Sequence, residues 1–475
     1  MEGRGRLHRI GAVICLSVVA ACSEGTNPPG AADVPTATDV NAAADVVEVR
    51  LVAKPAETSL LAGTRASVWA YRDAAASADG TVPGPIIRAK QGDRVIVHLK
   101  NELPEPTTIH WHGVRVPPES DGTLATQAVI APGGEFTYDF VANDPGTFWY
   151  HPHVRGDVQI ERGLYGMLVV SGGVDIPVDA DRAFVLDDVK LEADGKLSDK
   201  TDPLDVMLGR QGNVLLVNGR PSPTLTVSAG GRERWRFVNA ANGRYFNLRL
   251  GGERFLVVGW DGGLLAQPYE ADTLLMAPGE RYEVLVEPKG KAGEQLVLET
   301  IHYDRGHDIP DPGPKTLMKV RLVPPSEPTA AVDPLPSAWG QAPALEVPPG
   351  APERSVVLSE NEKTGSEPVF FINAAAFPDV PPVQAKSGDV ETWIVQNDSE
   401  MDHPFHLHGM FFRVLEVGGA APAHDGWKDT VNVPRKQSLR FAVRYGAPGT
   451  WMYHCHILEH AERVMMAELV LSARP

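Results

Sequence analysis

The chain has 475 residues, 43% apolar and 22% charged, which marks a globular protein with room for about three domains of ordinary size. Its 41 prolines and 46 glycines, with few stretches of helical periodicity, favour an all-β build of short strands joined by turns. A net charge of −17 argues against nucleic acid as a partner, because its phosphates would be repelled; a solubilising surface or an attraction for cations remains.

The first 22 residues read as an export signal. Arg4, Arg6 and Arg9 precede an apolar run from Ile10 to Ala21 that is too short to span a bilayer. The run ends Val19-Ala20-Ala21-Cys22, which resembles a bacterial lipobox with Cys22 as the lipidated residue; an ordinary secretory signal that happens to carry a cysteine is the other reading. On the lipobox reading the protein is exported to the cell envelope, on the periplasmic side or the cell surface, and held at a membrane by its lipid anchor. Residues 23–44 are rich in Ala, Pro, Thr and Asp without periodicity, and are expected to form a flexible tether. With Cys15 removed and Cys22 lipidated, Cys455 has no partner for a disulfide within the mature domains.

Three units of similar pattern follow, over residues 45–173, 178–324 and 354–475, with a Pro/Gly-rich linker at 325–353. A turn glycine leads into a strand that ends in Asn nine residues later: Gly92 to Asn101, Gly230 to Asn239, and Gly388 to Asn397. A second turn precedes an alternating strand. It occurs at Ala131-Pro132-Gly133 before Phe136, Tyr138 and Phe140. It recurs at Ala277-Pro278-Gly279 before Tyr282, Val284 and Val286, and near Val433-Pro434 before Leu439, Phe441, Val443 and Tyr445. Period-two alternation predicts half-buried antiparallel strands, and three copies of one unit predict three Greek-key β-sandwich domains.

Units one and three carry two further motifs that unit two lacks. His110-Trp111-His112-Gly113 matches His406-Leu407-His408-Gly409. Pro145-Gly146-Thr147-Phe148-Trp149-Tyr150-His151-Pro152-His153 matches Pro448-Gly449-Thr450-Trp451-Met452-Tyr453-His454-Cys455-His456. On a strand, the two histidines of a His-x-His pair share one face about 7 Å apart. Four pairs give eight imidazoles, more than one ordinary metal ion takes and suited to a small copper cluster where units one and three meet.

Cys455 lies between two of these histidines. Thiolate, imidazole and a weak thioether are the donors of a blue-copper electron-transfer centre. Alternation along a strand would turn Cys455 to one face and His454 and His456 to the other, so one tripeptide could serve two metal sites. His403, His460 and Met465 are the donors left for the site of Cys455, with Met466 as the neighbour that keeps the choice of methionine open.

Taken together, His-Trp-His-Gly, His-Pro-His, His-Pro-Phe-His-Leu-His-Gly and His-Cys-His-x3-His-x4-Met resemble the motifs of bacterial three-domain multicopper oxidases of the laccase-like kind. The resemblance covers residues 45–475 and implies cupredoxin-like domains holding four coppers. It implies a type 1 copper on His403, Cys455, His460 and weakly Met465, a type 2 copper on His110 and His406, and a type 3 pair on His112, His151, His153, His408, His454 and His456. The implied split of the pair is His112, His151 and His456 against His153, His408 and His454. Electrons from a reductant would pass from Cys455 to His454 and His456, and dioxygen would be reduced to water. Asp121, by itself a turn residue, falls where the family keeps an acid that helps move protons. Where some members carry Glu after the second type 1 histidine, this chain has Ala461, which leaves Glu459, Glu462 or water for that role.

A phenol-type reductant is the first reading of the substrate, and an axial Met465 favours electron-rich phenols. A metallo-oxidase acting on Cu(I) or Fe(II) is the alternative; the ten methionines are scattered, with no Met-rich insert. A copper nitrite reductase lacks the full set of eight cluster histidines, and a copper-free relative would lack ligands that are all present here. His98, His302, His307 and His424 remain outside the motifs. His424 either lines an access path near the type 1 site or sits exposed in its loop. Asp429 either stands behind a type 1 ligand as its partner or shapes a turn.

Overall fold

The computed structural model describes residues 34–61, 64–76, 80–307, 309–325, 334–361 and 369–474. The export signal with Cys22, residues 23–33 of the expected tether and residues 326–333 of the expected linker lie outside them.

Three two-sheet sandwiches follow one another along the chain. In the first, strands Ala66–Asp73, Val46–Thr58, Arg94–Asn101 and Glu135–Val141 face Ile87–Lys90, Gly166–Ser171, Gly146–His151 and His110–His112. The second and third each pack a six-stranded sheet on a five-stranded one. The sheets are mixed, not antiparallel as the alternation suggested. In each unit the opening strand runs parallel to the strand after the turn glycine: Val46 lies opposite Arg94, Glu233 opposite Ala180, and Glu353 opposite Thr392. Alternation reports which face is buried, and carries no information on the direction of the neighbouring strand.

The recurrent asparagine has a physical cause. The side-chain amide of Asn101 donates to Glu105 O and Ile130 O, that of Asn239 to Arg244 O and Met276 O, and that of Asn397 to Met401 O and Val433 O, all within 2.8–2.9 Å. Each carboxamide oxygen also accepts the backbone N–H two residues on. One buried side chain thus satisfies three backbone groups where the chain leaves one sheet for the other.

The segment expected as a free tether is docked from Val34 on. Ala37 N donates to Ile86 O and Ile86 N to Pro35 O, both at 2.8 Å, and Thr38 N donates to Asp73 at 2.8 Å. Part of the expected linker also packs: Gly340 N donates to Leu265 O at 2.9 Å, and Leu335 and Trp339 cover Ile176, Val258 and Leu285.

Buried apolar residues of the first and third sandwiches form one continuous cluster, while the second has its own. The strand Arg281–Val286 of the second sandwich is nonetheless buried on both faces. Val284 and Val286 point into its core, and Arg281 and Glu283 point at the other two sandwiches. The seam where all three meet carries the histidines.

Candidate metal centre

Four short strands present the histidines. His110 lies opposite His151 in the first sandwich, and His406 opposite His454 in the third. Across the seam the His112 ring stacks on His406 at 3.8 Å and the His110 ring on His408 at 4.0 Å. His153, His408 and His454 gather on one side, with ring centroids 5.0–5.3 Å apart. His112, His151 and His456 gather on the other, at 4.9–5.8 Å.

The rings are oriented by bonds on their outer nitrogens. His110 Nδ1 donates to Asp121 O at 2.8 Å, His406 Nδ1 to Asp429 O at 3.0 Å, His151 Nδ1 to Pro152 O at 2.9 Å, and His454 Nδ1 to Cys455 O at 2.8 Å. That fixes these four with lone pairs on Nε2. His110 Nε2, His151 Nε2, His406 Nε2 and His112 Nδ1 are buried with no protein partner, as are both nitrogens of His456. His408 Nε2 and His454 Nε2 face each other at 3.0 Å. With a proton already on Nδ1 of His454, and Nδ1 of His408 directed at Asp121, this places two lone pairs in opposition unless a cation lies between them. Burial, then the neighbouring imidazoles, hold His112, His151, His408, His454 and His456 well below the usual histidine range, and His153 at about 3. Neutral, convergent and otherwise unsatisfied imidazoles fit metal ions.

A second cluster lies one residue away. Cys455 Sγ is 3.4 Å from His403 Nδ1 and 3.7 Å from His460 Nδ1, and the two nitrogens are 3.3 Å apart. The far nitrogens are tied, His403 Nε2 to Ser399 Oγ at 2.8 Å and His460 Nε2 to Met207 O at 3.0 Å. Phe370 stacks on His460 at 3.7 Å. Burial pushes the Cys455 thiol up, so a thiolate here requires a neighbouring cation. Met465 is fully buried and its carbonyl accepts the Cys455 N–H at 3.2 Å. Met466 is half-buried and lines a separate cavity. Val464, just before Met465, is held at φ 74°, a strained conformation for a β-branched residue and of the kind found in loops around functional sites.

Two buried acids brace the histidines. Asp121 accepts from His408 Nδ1 at 3.0 Å. Asp429 stands 3.2 Å from His112 Nε2, and both its oxygens are held by Arg281 at 2.7 and 2.6 Å. Burial opposes the charge on Asp429, but Arg281 keeps its carboxyl well below the usual range. Asp429 is therefore a partner of His112 and His406, not of a ligand in the Cys455 cluster as expected, and no mere turn residue. Arg281 comes from the second sandwich, which contributes no histidine to either cluster. Sequence reasoning missed it, since nothing local marks a pairing across 148 residues. Lys428 extends the network to Glu280 at 2.8 Å and Asp261 at 3.0 Å.

Of the acids near Ala461, Glu459 accepts from Asn242 Nδ2 and Arg210 N of the second sandwich, at 2.8 and 2.9 Å. Glu462 caps Gly156 N at 2.6 Å and lines a cavity of about 360 Å³ with His153 and Ala461. Burial raises both carboxyls to about 7. The remaining histidines belong to neither cluster. His98 pairs with Glu48 at 3.2 Å, His302 stands 3.9 Å from Asp311, and His307 stands 3.3 Å from Glu360. His424 sits exposed in its loop, as one of the two readings had it, with its ring stacked on Tyr269 at 3.4 Å, and it is not part of the Cys455 cluster.

Family models described as multicopper oxidase match residues 60–174, 188–305 and 346–474. The multicopper oxidase MmcO of Mycobacterium tuberculosis is 30% identical over 95% of this chain and 93% of its own length. The chain belongs to the multicopper oxidases. A laccase of Bacillus subtilis is 27% identical over 84% of this chain and 89% of its own. A Campylobacter jejuni multicopper oxidase, described as a metallo-oxidase, superposes with a TM-score of 0.82 at 29% identity, covering 94% of this chain and 96% of that one. As a bacterial laccase-like multicopper oxidase, the protein is a copper-binding oxidoreductase that passes electrons from a reducing substrate or metal ion to dioxygen.

Proposed function

We propose that the protein is a four-copper phenol oxidase, anchored at the cell envelope through Cys22. The observation that carries the copper assignment is the tripeptide His454-Cys455-His456, whose sulfur belongs to one cluster and whose imidazoles belong to the other. On this reading His403, Cys455, His460 and Met465 hold the type 1 copper, and His110 and His406 the type 2. The two trios hold the type 3 pair. Copper supplies one-electron acceptance at the first site and the multi-electron reduction of dioxygen at the second. The protein contributes geometry. Cys455 and its two peptide bonds join the clusters covalently. Ser399 and Met207 fix which nitrogens of His403 and His460 face the sulfur. Asp121, bonded to His408 and His110, is placed to hold a proton beside the cluster.

Replacing Cys455 by Ser is expected to abolish the intense blue thiolate absorption while leaving the eight-histidine cluster able to bind copper. A blue variant would overturn the assignment. Oxygen uptake by the copper-loaded protein distinguishes the substrates: rapid uptake with a methoxyphenol and slow uptake with Cu(I) or Fe(II) supports the phenol reading, and the reverse order replaces it. The anchor is tested by fractionation, where Cys22→Ala is expected to move the protein from the membrane pellet to the soluble fraction.

The metallo-oxidase reading draws on the relative of that description and on the chain's negative charge.

A further inference from the structure

A cavity of about 190 Å³ opens on the second sandwich, and its lining includes Arg244, Tyr245, His302, Tyr303, Arg305 and Lys315. Its volume suits one aromatic ring better than a large ligand. Arg305 lies close to the metal site: its carbonyl accepts the N–H of Asp402, the residue before His403, at 2.8 Å. Arg305 is 2% exposed, yet neither of its Nη atoms has a protein acceptor.

The acid that could have neutralised it is otherwise engaged. Asp402 accepts from Tyr303 Oη at 2.6 Å, Asn432 Nδ2 at 2.7 Å and Arg435 N at 2.9 Å. Arg244 is matched by Asp188. Lys315, half-buried at the rim, makes no ion pair with a described residue. A buried guanidinium with two free donor groups is costly unless an acceptor reaches it. Tyr245 and Tyr303 stack at 5.7 Å and give the same cavity an aromatic wall. Arg305 lies over the Tyr245 ring, 5.6 Å from its centroid. Two cations with no ion pair to a described residue, beside an aromatic ring face, define a ligand with one anionic end and one flat end.

We infer that this cavity is the reductant subsite and takes a single-ring phenol bearing a carboxylate, the carboxylate on Arg305 and Lys315 and the ring against the tyrosines. The inference rests on the phenol-oxidase reading and narrows it to acidic phenols. Each phenol gives up one electron and its hydroxyl proton and leaves as a phenoxyl radical; four such losses, four electrons and four protons in all, convert one dioxygen to two waters. The same positive field disfavours a cationic reductant at this face.

The test uses the copper-loaded protein with 4-hydroxy-3-methoxybenzoate and its methyl ester, which differ in the charge at one end. Oxygen uptake is expected to show kcat/KM higher for the acid by about tenfold or more, since a built charge partner penalises the analogue that lacks it. Arg305→Gln and Lys315→Gln are each expected to bring the acid-to-ester ratio towards one. Non-oxidisable 3,4-dimethoxybenzoate is expected to bind by calorimetry and to lose affinity in both variants. Blue absorption reports whether Arg305→Gln keeps the Cys455 cluster; where it does not, Lys315→Gln decides. An ester used as well as the acid, or an unchanged ratio and affinity in the intact variants, overturns the inference and leaves the phenol reading standing. Uptake with Fe(II) or Cu(I) but with neither phenol removes both.

Discussion

At Gly279 a β-carbon would stand 3.0 Å from Cδ2 of His456 and 3.1 Å from Cε1 of His112. Its φ of 89° is also one that other residues rarely adopt. The equivalent turn glycine of the first sandwich, Gly133, has nothing within 4 Å of such a carbon. The same repeat position is therefore a plain turn in one unit and a wall of the histidine cluster in another. Gly279→Ala is expected to displace His112 and His456 without touching Cys455. The copper-to-protein ratio should fall while blue absorption per type 1 site persists; a full complement of copper in that variant would show that the turn yields instead of the rings.

Among the elements, the strand-ending asparagines separate what the sequence discloses from what it hides. Their nine-residue spacing from a glycine was readable as a repeat, but its reason is three backbone groups that only the folded sandwich brings together. Asn239 tests the device in the sandwich that supplies no histidine to either cluster. Asn239→Ala leaves Arg244 O, Met276 O and the Ala241 N–H without their partner. At about 1–3 kcal/mol for each buried group left unpaired, the loss should be several kcal/mol by chemical denaturation; a change near zero would mean that water replaces the amide. The His-x-His pairs were legible for a local reason as well, because alternation puts residues i and i+2 on one face whatever the fold. Arg281 and Arg305 were not, because each acts across sandwiches with no spacing to mark it; a partner role for Asp429 was one of two readings, but which histidines it braces was not legible. The parallel pairings escaped for the reason that alternation does not encode direction.

Across the whole molecule, the second sandwich contributes no histidine to either cluster yet completes the centre. It reaches the third through Arg281–Asp429 and Lys428–Glu280, and the first through Thr147, which donates to Glu283 at 2.6 Å. Arg281 is 0% exposed, so its removal leaves the Asp429 carboxylate buried beside two imidazoles with no counter-charge. Breaking a buried pair in this way costs about 3–5 kcal/mol. Copper bound by His112 and His406 would bring positive charge to the same place. Arg281→Met is therefore expected to destabilise the copper-free protein by roughly that amount and the copper-loaded protein by distinctly less. Unfolding midpoints measured with and without copper, for both sequences, give the four corners of the cycle. Equal losses in the two states would mean that the cluster does not feel Asp429, and that the second sandwich braces the other two without tuning the metals they hold.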